Sequence, residues 1–197
     1  MLAALGRQLR KPSGFFGKIV SRMMNARNRK FYQRIISDLD IQSGDRIYEI
    51  GYGPGLGIEM IAQSRNDCTI SGIDFSELMV RSATKRNKRF IDAGRVDLKY
   101  GDLLTADTAK ERYDKIFCVN VIYFWNDLKS VFSKIYSMLG ERGAFCIFMT
   151  AAEDMETGFA VDFKKYSMDE VEKALKEAGF KGVEYALDHG YFIKAQK

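Results

Sequence analysis

A glycine-rich loop with an acidic residue before it has the spacing that most directly suggests chemistry. In the stretch 49–57, EIGYGPGLG, glycines alternate with other residues at Gly51, Gly53 and Gly55, and Glu49 lies two positions earlier. Glycine lets a backbone turn tightly and approach a ligand closely, as nucleotide-binding loops between a strand and a helix require. The loop indicates a nucleotide-type ligand, although glycine-rich loops between strands and helices also occur as plain turns.

The glycine spacing separates two ligand classes that use such loops, dinucleotides and S-adenosylmethionine. The dinucleotide pattern G-x-G-x-x-G needs a third glycine at position 56 or 58, where the sequence has Leu56 and Ile58. The sequence reads acid-x-G-x-G-x-G instead. A carboxylate ahead of the loop suits a ligand with a positive group and poorly suits a pyrophosphate.

Two further acids follow strand-like segments. Asp74 comes about 20 residues after the loop, where a carboxylate can accept hydrogen bonds from both ribose hydroxyls. Alternatively, Asp74 is an acid near the N-terminus of the following helix. Its neighbour Phe75 could pack against a face of the adenine ring, or it could be an ordinary aromatic residue of the core. Within the turn Gly101–Leu103, Asp102 could accept from an adenine amino group or could be a turn aspartate.

Strand-like and helical segments alternate from residue 45 onward. The predicted strands are 45–51, 68–75, 96–103, 115–124, 143–150 and two within 182–196. The predicted helices between them are 58–65, 76–94, 127–140 and 167–180. This alternation predicts an open, mostly parallel α/β sheet whose last two strands form an antiparallel hairpin. Ligands of such sheets bind at the carboxyl ends of the strands.

The ordered segments IYEIGYGPGLG, GIDFS, YGDLL, YDKIFCVNVIYFW and ERGAF resemble the class I S-adenosylmethionine-dependent methyltransferases. The resemblance covers roughly residues 30–197 and is strongest to small enzymes of quinone biosynthesis and other small-molecule methylation. It implies a Rossmann-like α/β fold with helices on both faces of a seven-stranded sheet. The implied strand order is 3-2-1-4-5-7-6, with strand 7 antiparallel.

The resemblance also implies a cofactor, S-adenosylmethionine, with S-adenosylhomocysteine as product and no metal. Asp74 would bind the ribose, Asp102 the adenine amino group, and Asn120 would lie by the methionine end. The methionine part would be held by Glu49, Gly51, Gly53 and Gly55. The candidate set is completed by Phe75, Gly101 and Leu103.

The sulfonium of this cofactor is already activated, so methyl transfer requires alignment and desolvation, and a general base only for weakly acidic acceptors. No catalytic residue is assigned. The two candidates are Tyr123 and the sole histidine, His189, in the predicted hairpin turn.

The acceptor is predicted to be a small molecule or a lipid-like molecule. Asn120 and Tyr123 have the spacing of the Asn-Pro-Pro-Tyr motif that relatives use on planar amino groups, but both prolines are missing. The aromatic run Tyr123, Phe124 and Trp125 could line an acceptor pocket or anchor the loop to the sheet. Methylation of a protein or nucleic acid, and a non-catalytic scaffold that binds the cofactor, remain open as alternatives.

The N-terminal segment is strongly basic. Residues 1–37 contain nine Lys or Arg residues and no acid. We interpret residues 1–197 as one methyltransferase domain in which residues 1–40 form a basic helical arm. The arm could contact an anionic membrane or pack as a lid over the cofactor, and nucleic acid is the weaker alternative because no recognisable nucleic-acid-binding module is present.

The remaining composition indicates a cytoplasmic protein that could be peripheral to a membrane. No apolar run reaches the roughly 18 residues that span a bilayer, and the first residues make a poor signal peptide. Cys68, Cys118 and Cys146 are odd in number and lie among apolar neighbours, as buried free thiols do.

Overall fold

One seven-stranded sheet organises the chain. The computed structural model describes residues 28–108, 110–151 and 163–197. Its strands are β1 (Arg46–Ile50), β2 (Thr69–Asp74), β3 (Val96–Tyr100), β4 (Tyr113–Val119), β5 (Leu139–Met149), β6 (Lys181–Leu187) and β7 (Tyr191–Gln196). Their order is β3-β2-β1-β4-β5-β7-β6, and β7 alone runs antiparallel to its neighbours. The predicted fold class is confirmed, including the reversed seventh strand.

Helices cover both faces of the sheet. They are α1 (28–38), α2 (Leu56–Ser64), α3 (Glu77–Asp92), α4 (Leu128–Met138) and α5 (Met168–Glu177). One apolar cluster packs α1, α2 and α3 on one face, and a second packs α4 and α5 on the other. The predicted helix starts at residues 76 and 167 are confirmed, and Ser167 forms a capping box with Glu170.

The segment after β4 differs from its prediction. A strand over 115–124 is expected, but β4 ends at Val119 because Asn120 takes a left-handed conformation with φ of 58°. A short 3-10 helix, Ile122–Phe124, follows. The strand ends here because a left-handed residue turns the chain out of the extended conformation. The turn brings the aromatic run back over the carboxyl edge of the sheet.

The start of β5 also differs. The strand is predicted over 143–150 after a helix that ends at residue 140, but β5 begins at Leu139 directly after α4. Tyr113 pairs with Leu139 and Lys115 with Ala144, so the residues between them form an irregularity in the ladder. The other bounds differ by a few residues: β3 ends at Tyr100, and α2 begins at Leu56.

The described part of the predicted N-terminal arm packs into the core. In α1, Phe31 stacks on Phe148 of β5 with ring centroids 3.8 Å apart, and Ile35 is fully buried. Residues 1–27 of the predicted arm lie outside the described residues, as do the membrane contact and the lid predicted for the arm. The treatment of residues 1–197 as one domain stays a prediction.

The three cysteines are buried free thiols, as predicted. None of the described helices combines the length and apolar character needed to cross a membrane.

Candidate functional site

The glycine loop joins β1 to α2 at the carboxyl edge of the sheet. Gly51, Gly53 and Gly55 all have positive φ, at 67°, 52° and 78°. At Gly53 a Cβ would meet no atom within 4 Å, because this residue borders an open cavity. At Gly55 a Cβ would lie 2.6 Å from Nδ2 of Asn87 and 2.9 Å from Cβ of Ala83. Gly53 thus leaves room for a ligand, whereas Gly55 allows the loop to touch α3.

A buried asparagine on α3 supports the loop from behind. Nδ2 of Asn87 donates to the carbonyl oxygens of Gly55 and Ala83, each at 3.1 Å. The side chain of Asn87 is fully buried. Its amide therefore ties the helix that follows β2 to the loop that follows β1.

Asp74 is placed as the sequence predicts, at the end of β2 beside the loop. Its Oδ2 accepts from the backbone N–H of Gly53 at 2.9 Å, and its Oδ1 accepts from that of Ser76 at 2.8 Å. Burial raises the pKa of Asp74 to about 6, against the lowering effect of these two hydrogen bonds. The carboxylate is thus preorganised on the inner wall of the cavity.

Glu49 lies behind the loop and does not line the cavity. It is fully buried, and its Oε1 accepts a 2.9 Å hydrogen bond from the hydroxyl of Tyr32 in α1. Its Oε2 faces Gly57 at the start of α2 and has no well-formed hydrogen bond within the described part of the chain. Burial raises the pKa of Glu49 to about 8, and the Tyr32 hydrogen bond opposes that rise. The observed position connects Glu49 to α1.

A cavity of about 310 Å³ opens at the carboxyl ends of β1, β2, β3 and β4. This volume is at the lower end of the usual range for ligand sites, roughly 300–1,000 Å³. Eight of the ten predicted cofactor residues border it. Those from the loop and β2 are Gly51, Gly53, Asp74 and Phe75. Those that follow β3 and β4 are Gly101, Asp102, Leu103 and Asn120. Only Glu49 and Gly55 lie behind the wall.

The charge of the cavity wall is entirely negative. Asp74, Asp102 and Asp127 contribute carboxylates, and the described lining residues include no Lys, Arg or His. Asp102 is exposed, and its Oδ1 accepts from the N–H of Leu104 at 2.8 Å, as in a turn. Such a wall favours a cationic ligand and disfavours a pyrophosphate.

The two candidate catalytic residues are both outside the cavity wall. Tyr123 is buried; its hydroxyl lies 3.1 Å from Oδ1 of Asn120 and also accepts from the N–H of Thr150. His189 is in the β6–β7 turn with a side chain 74% exposed, and the cavity lining does not include it. The structure places Tyr123 behind Asn120 and His189 well away, several strands along the sheet.

The aromatic run both borders the cavity and anchors its loop to the core. Phe124 and Trp125 line the cavity, and Phe124 makes an edge contact with Phe75 at 6.5 Å between ring centroids. Trp125 packs edge-on against Phe132 of the core. This wall is therefore an apolar surface with anchored rings.

Sequence reasoning missed the residues that support the site from a distance. Tyr32, Asn87 and Thr150 each contact a predicted residue without standing in any motif. Val121 was also missed, although a Cβ on Gly51 would lie 2.6 Å from its Cγ2. The sequence offered one indication of such a supporting residue, a polar side chain at a helical position that faces the core, as at Asn87.

Comparisons with known proteins agree with this geometry. A family model described as a methyltransferase domain matches residues 47–143. The uncharacterized methyltransferase YdaC of Bacillus subtilis (strain 168) is 33% identical over 135 residues, covering 68% of this chain and 72% of that protein. Sterol 24-C-methyltransferase ERG6 of Saccharomyces cerevisiae is 26% identical over 155 residues, covering 71% of this chain but only 40% of the yeast enzyme.

A solved structure shows the same fold. Phosphoethanolamine N-methyltransferase 2 of Haemonchus contortus, in complex with phosphomonomethylethanolamine and S-adenosylhomocysteine, has a TM-score of 0.70 and 23% identity. The match covers 80% of this chain and 38% of that one. The chain belongs to the class I S-adenosylmethionine-dependent methyltransferase family.

The described residues contain no group of three or more His, Cys, Asp or Glu side chains arranged to hold a metal ion.

Proposed function

We propose that this protein binds S-adenosylmethionine in the cavity and transfers its methyl group to a small-molecule or lipid-like acceptor. The observation that carries the proposal is the cavity wall: a glycine loop with three carboxylates and no basic side chain among its described residues. A sulfonium and an ammonium group make the amino-acid end of this cofactor cationic. A dinucleotide would bring an anionic pyrophosphate to the same wall, which electrostatics disfavours.

Each lining group has a role in this proposal. Asp74 accepts from the ribose hydroxyls, since its carboxylate is already fixed by Gly53 and Ser76. The backbone of the loop at Gly51 and Gly53 borders the methionine part. Asp102 accepts from the adenine amino group.

Three neighbouring residues complete the adenine end of the proposed site. Phe75 lies on a face of the adenine ring, held at its own edge by Phe124. Gly101 and Leu103 border the same end of the cavity, on either side of Asp102.

Methyl transfer requires little from the protein beyond the positioning of the cofactor and the acceptor. When bound, S-adenosylmethionine supplies a methyl group on a positively charged sulfur. The chain's residues align the reactants and exclude water with the apolar wall of Val121, Phe124 and Trp125. No general base is assigned, because the Tyr123 hydroxyl is committed to hydrogen bonds and His189 is remote.

The acceptor class rests on two observations. The cavity edge beyond Asn120 is aromatic, which suits a flat or apolar molecule. One relative named above is a sterol methyltransferase, although this chain spans less than half of its length. A panel of sterol, quinol, phenol, amine and thiol acceptors, assayed by release of S-adenosylhomocysteine, would identify the acceptor.

Isothermal titration calorimetry of the full chain with S-adenosylmethionine and with NAD tests the cofactor assignment. We expect saturable binding of S-adenosylmethionine and none of NAD. Binding of NAD alone would indicate a dinucleotide site, as in dehydrogenases. Binding of neither ligand would contradict the proposal.

We further propose that the basic N-terminal segment brings the protein to anionic membranes. Nine basic residues without an acid in residues 1–37 support this. Co-sedimentation with phosphatidylserine vesicles should pellet the full chain and leave a variant lacking residues 1–27 in solution. Equal pelleting of the two proteins would exclude the proposal.

A further inference from the structure

A lysine on α4 holds the loop that follows β3, residues 101–108. Nζ of Lys134 donates to the carbonyl oxygen of Leu104 at 3.0 Å and to that of Ala106 at 2.6 Å. These contacts join residues that are 30 and 28 positions apart in the chain. Hydrogen bonds from a charged donor are stronger than those between neutral groups. Lys134 therefore fastens the loop to α4 at two points.

The same two loop residues are bonded to Asp102 through their N–H groups. The N–H of Leu104 donates to Oδ1 of Asp102 at 2.8 Å, and the N–H of Ala106 donates to the Asp102 carbonyl at 3.0 Å. Leu104 and Ala106 are thus each bonded to Asp102 on the amino side and to Lys134 on the carbonyl side. The four hydrogen bonds form one connected unit that links the lysine to the aspartate.

The helix gives this unit a firm base. Val131, Phe132 and Ile135 of α4 are fully buried in the core, so the backbone from which Lys134 extends is fixed by packing. Lys134 itself is only partly buried, and its flexible four-carbon stem lets the ammonium group reach the loop. The loop is therefore tied to a packed helix and not to another loop.

The other contacts of the turn are local. Asp102 is exposed and Leu104 is 46% exposed, so water competes for the hydrogen bonds within the turn and their net contribution is small. Leu103, between them, is buried in the same apolar cluster as the core face of α4. Packing of Leu103 should keep the loop in place when Lys134 is changed. Loss of the lysine should therefore loosen the turn around Asp102 without unfolding the loop.

Asp102 borders the cavity, and the proposed function assigns the adenine amino group to it. We propose that Lys134 is a positioning residue for adenine recognition, because it holds the carbonyls of Leu104 and Ala106 and thereby fixes the turn that presents Asp102 to the ligand. The inference rests on the proposed function, which gives Lys134 no role. Lys134 is not among the residues that line the cavity, so it acts through the turn and not by contact with the ligand.

Two ligands that differ only in the adenine amino group test this role. One is S-adenosylhomocysteine, and the other is its analogue with unsubstituted purine in place of adenine. We expect the wild type to prefer S-adenosylhomocysteine about tenfold in calorimetry, because the analogue lacks the donor to the carboxylate. Lys134→Met removes the ammonium group and keeps most of the length of the side chain. It should weaken S-adenosylhomocysteine about threefold to tenfold and bind the analogue within about twofold of the wild type.

Lys197 offers a matched control. Its Nζ also donates to two carbonyls, those of Tyr136 and Leu139, at 2.9 and 2.7 Å. Neither of these residues borders the cavity. Lys197→Met removes the same kind of contact and should keep the preference of the wild type between the two ligands. An unchanged preference in Lys134→Met, equal weakening of both ligands by it, or the same fall of preference in both variants would overturn the inference.

A double-mutant cycle tests whether Lys134 acts through Asp102. Asp102→Ala removes the carboxylate and should abolish the preference for adenine. Lys134→Met added to Asp102→Ala should then change the affinity for S-adenosylhomocysteine by less than about twofold. A further loss of threefold or more in the double variant would refute the proposal, because Lys134 would then act by another route.

Binding by the wild-type chain separates this inference from the proposed function. If the wild type does not bind S-adenosylhomocysteine, the proposed function fails and the inference fails with it. If the wild type binds S-adenosylhomocysteine and Lys134→Met keeps the same preference for adenine, the proposed function stands and the role of Lys134 is wrong. If the wild type binds both ligands equally well, the adenine role of Asp102 is wrong and so is the inference.

Discussion

At the ends of β2 and β3 each acid has a hydrogen-bond partner two residues on in the chain, whereas Asn120 at the end of β4 has partners far away in the sequence. Asp74 bonds to Ser76, and Asp102 to Leu104, although Asp74 also accepts from Gly53 of the loop, 21 residues earlier. Asn120 bonds to Asn28 across 92 residues and to Thr150 across 30. We call the first region the cofactor half and the second the acceptor half, after the functions proposed for them. The first combines local turns with a contact to the glycine loop, and the second exists only after α1, β4 and β5 have packed together.

This difference predicts where substitutions act on folding and where they act on ligands. In the cofactor half, contacts behind the loop should stabilise the fold, and residues on the open face should bind the ligand. In the acceptor half, one hydrogen-bond network should contribute both to stability and to ligand binding. Substitutions in each half should therefore separate effects on stability from effects on ligand binding.

Gly55→Ala should have the largest effect on stability. Its φ of 78° is strained for alanine, and the new methyl group would meet Asn87 and Ala83 at 2.6 and 2.9 Å. We expect a loss of about 2–5 kcal/mol in the free energy of unfolding, measured in urea. The matched variant Gly53→Ala has the same type of strain without the clash, so it should lose about 1–2 kcal/mol and instead weaken S-adenosylhomocysteine binding. Equal losses of stability in the two variants would contradict the division of the loop.

Glu49→Gln should change how stability depends on pH. The pKa of Glu49 is about 8 in the folded protein against an ordinary value of 4.5, so the folded state binds more protons between these values. The free energy of unfolding of the wild type therefore falls as pH rises from about 5 to 8, and then levels off. Glutamine removes this contribution. Relative to the variant, the wild type should lose on the order of 3 kcal/mol between pH 5 and pH 9.

The control for this comparison is Glu77→Gln, which removes an exposed carboxylate that is 65% accessible. It should leave the pH profile of the wild type unchanged. Parallel profiles for the wild type and Glu49→Gln would show that Glu49 is ionised throughout and would remove the buried-acid interpretation.

Tyr123→Phe probes the network of the acceptor half. It leaves the N–H of Thr150 without the phenol oxygen that accepts from it. We expect a loss of about 1–3 kcal/mol in the free energy of unfolding, because this partly buried N–H then lacks its acceptor. Tyr100→Phe, at a tyrosine that is 55% exposed, should change stability by less than about 0.5 kcal/mol. A Tyr123→Phe variant as stable as Tyr100→Phe would show that the network contributes no stability.

His189→Asn should have the smallest effect. The residue is exposed in the β6–β7 turn at φ of 53°, which asparagine accepts. We expect a thermal midpoint and a rate of S-adenosylhomocysteine release close to those of the wild type. A loss of turnover above tenfold, together with a changed pH–rate profile, would restore His189 as a general base.

The sequence predicts which residues of the cofactor half border the cavity, because much of that information is local. Alternating glycines, Asp74 at a strand end and Asp102 in a turn are each readable within a few residues, and all of these except Gly55 border the cavity. Glu49 shows the limit of that reasoning. Its spacing suggests a ligand contact, but α1 covers it through Tyr32, a contact across 17 residues that no local pattern reveals.

The acceptor half could not be predicted in the same way. A strand through residue 124 is a sound reading of an apolar run, yet the left-handed turn at Asn120 ends β4 at Val119. The partners that make this turn favourable are Phe148 of the next strand and Thr150 directly after that strand, and they become neighbours only through the parallel pairing of β4 with β5. Pairing partners of this kind follow from topology and not from spacing.

The affinity of Asp74→Asn for S-adenosylhomocysteine directly tests the proposal that the cavity binds the cofactor through this carboxylate. This carboxylate lines the cavity, and it is the group to which we assign the ribose in the proposed function. Calorimetry should show at least a tenfold weaker affinity than for the wild type, while Asp97→Asn, at an exposed acid of β3, should bind within twofold of the wild type. Wild-type affinity in Asp74→Asn would contradict the account, because the cavity would then not hold the cofactor in the way described.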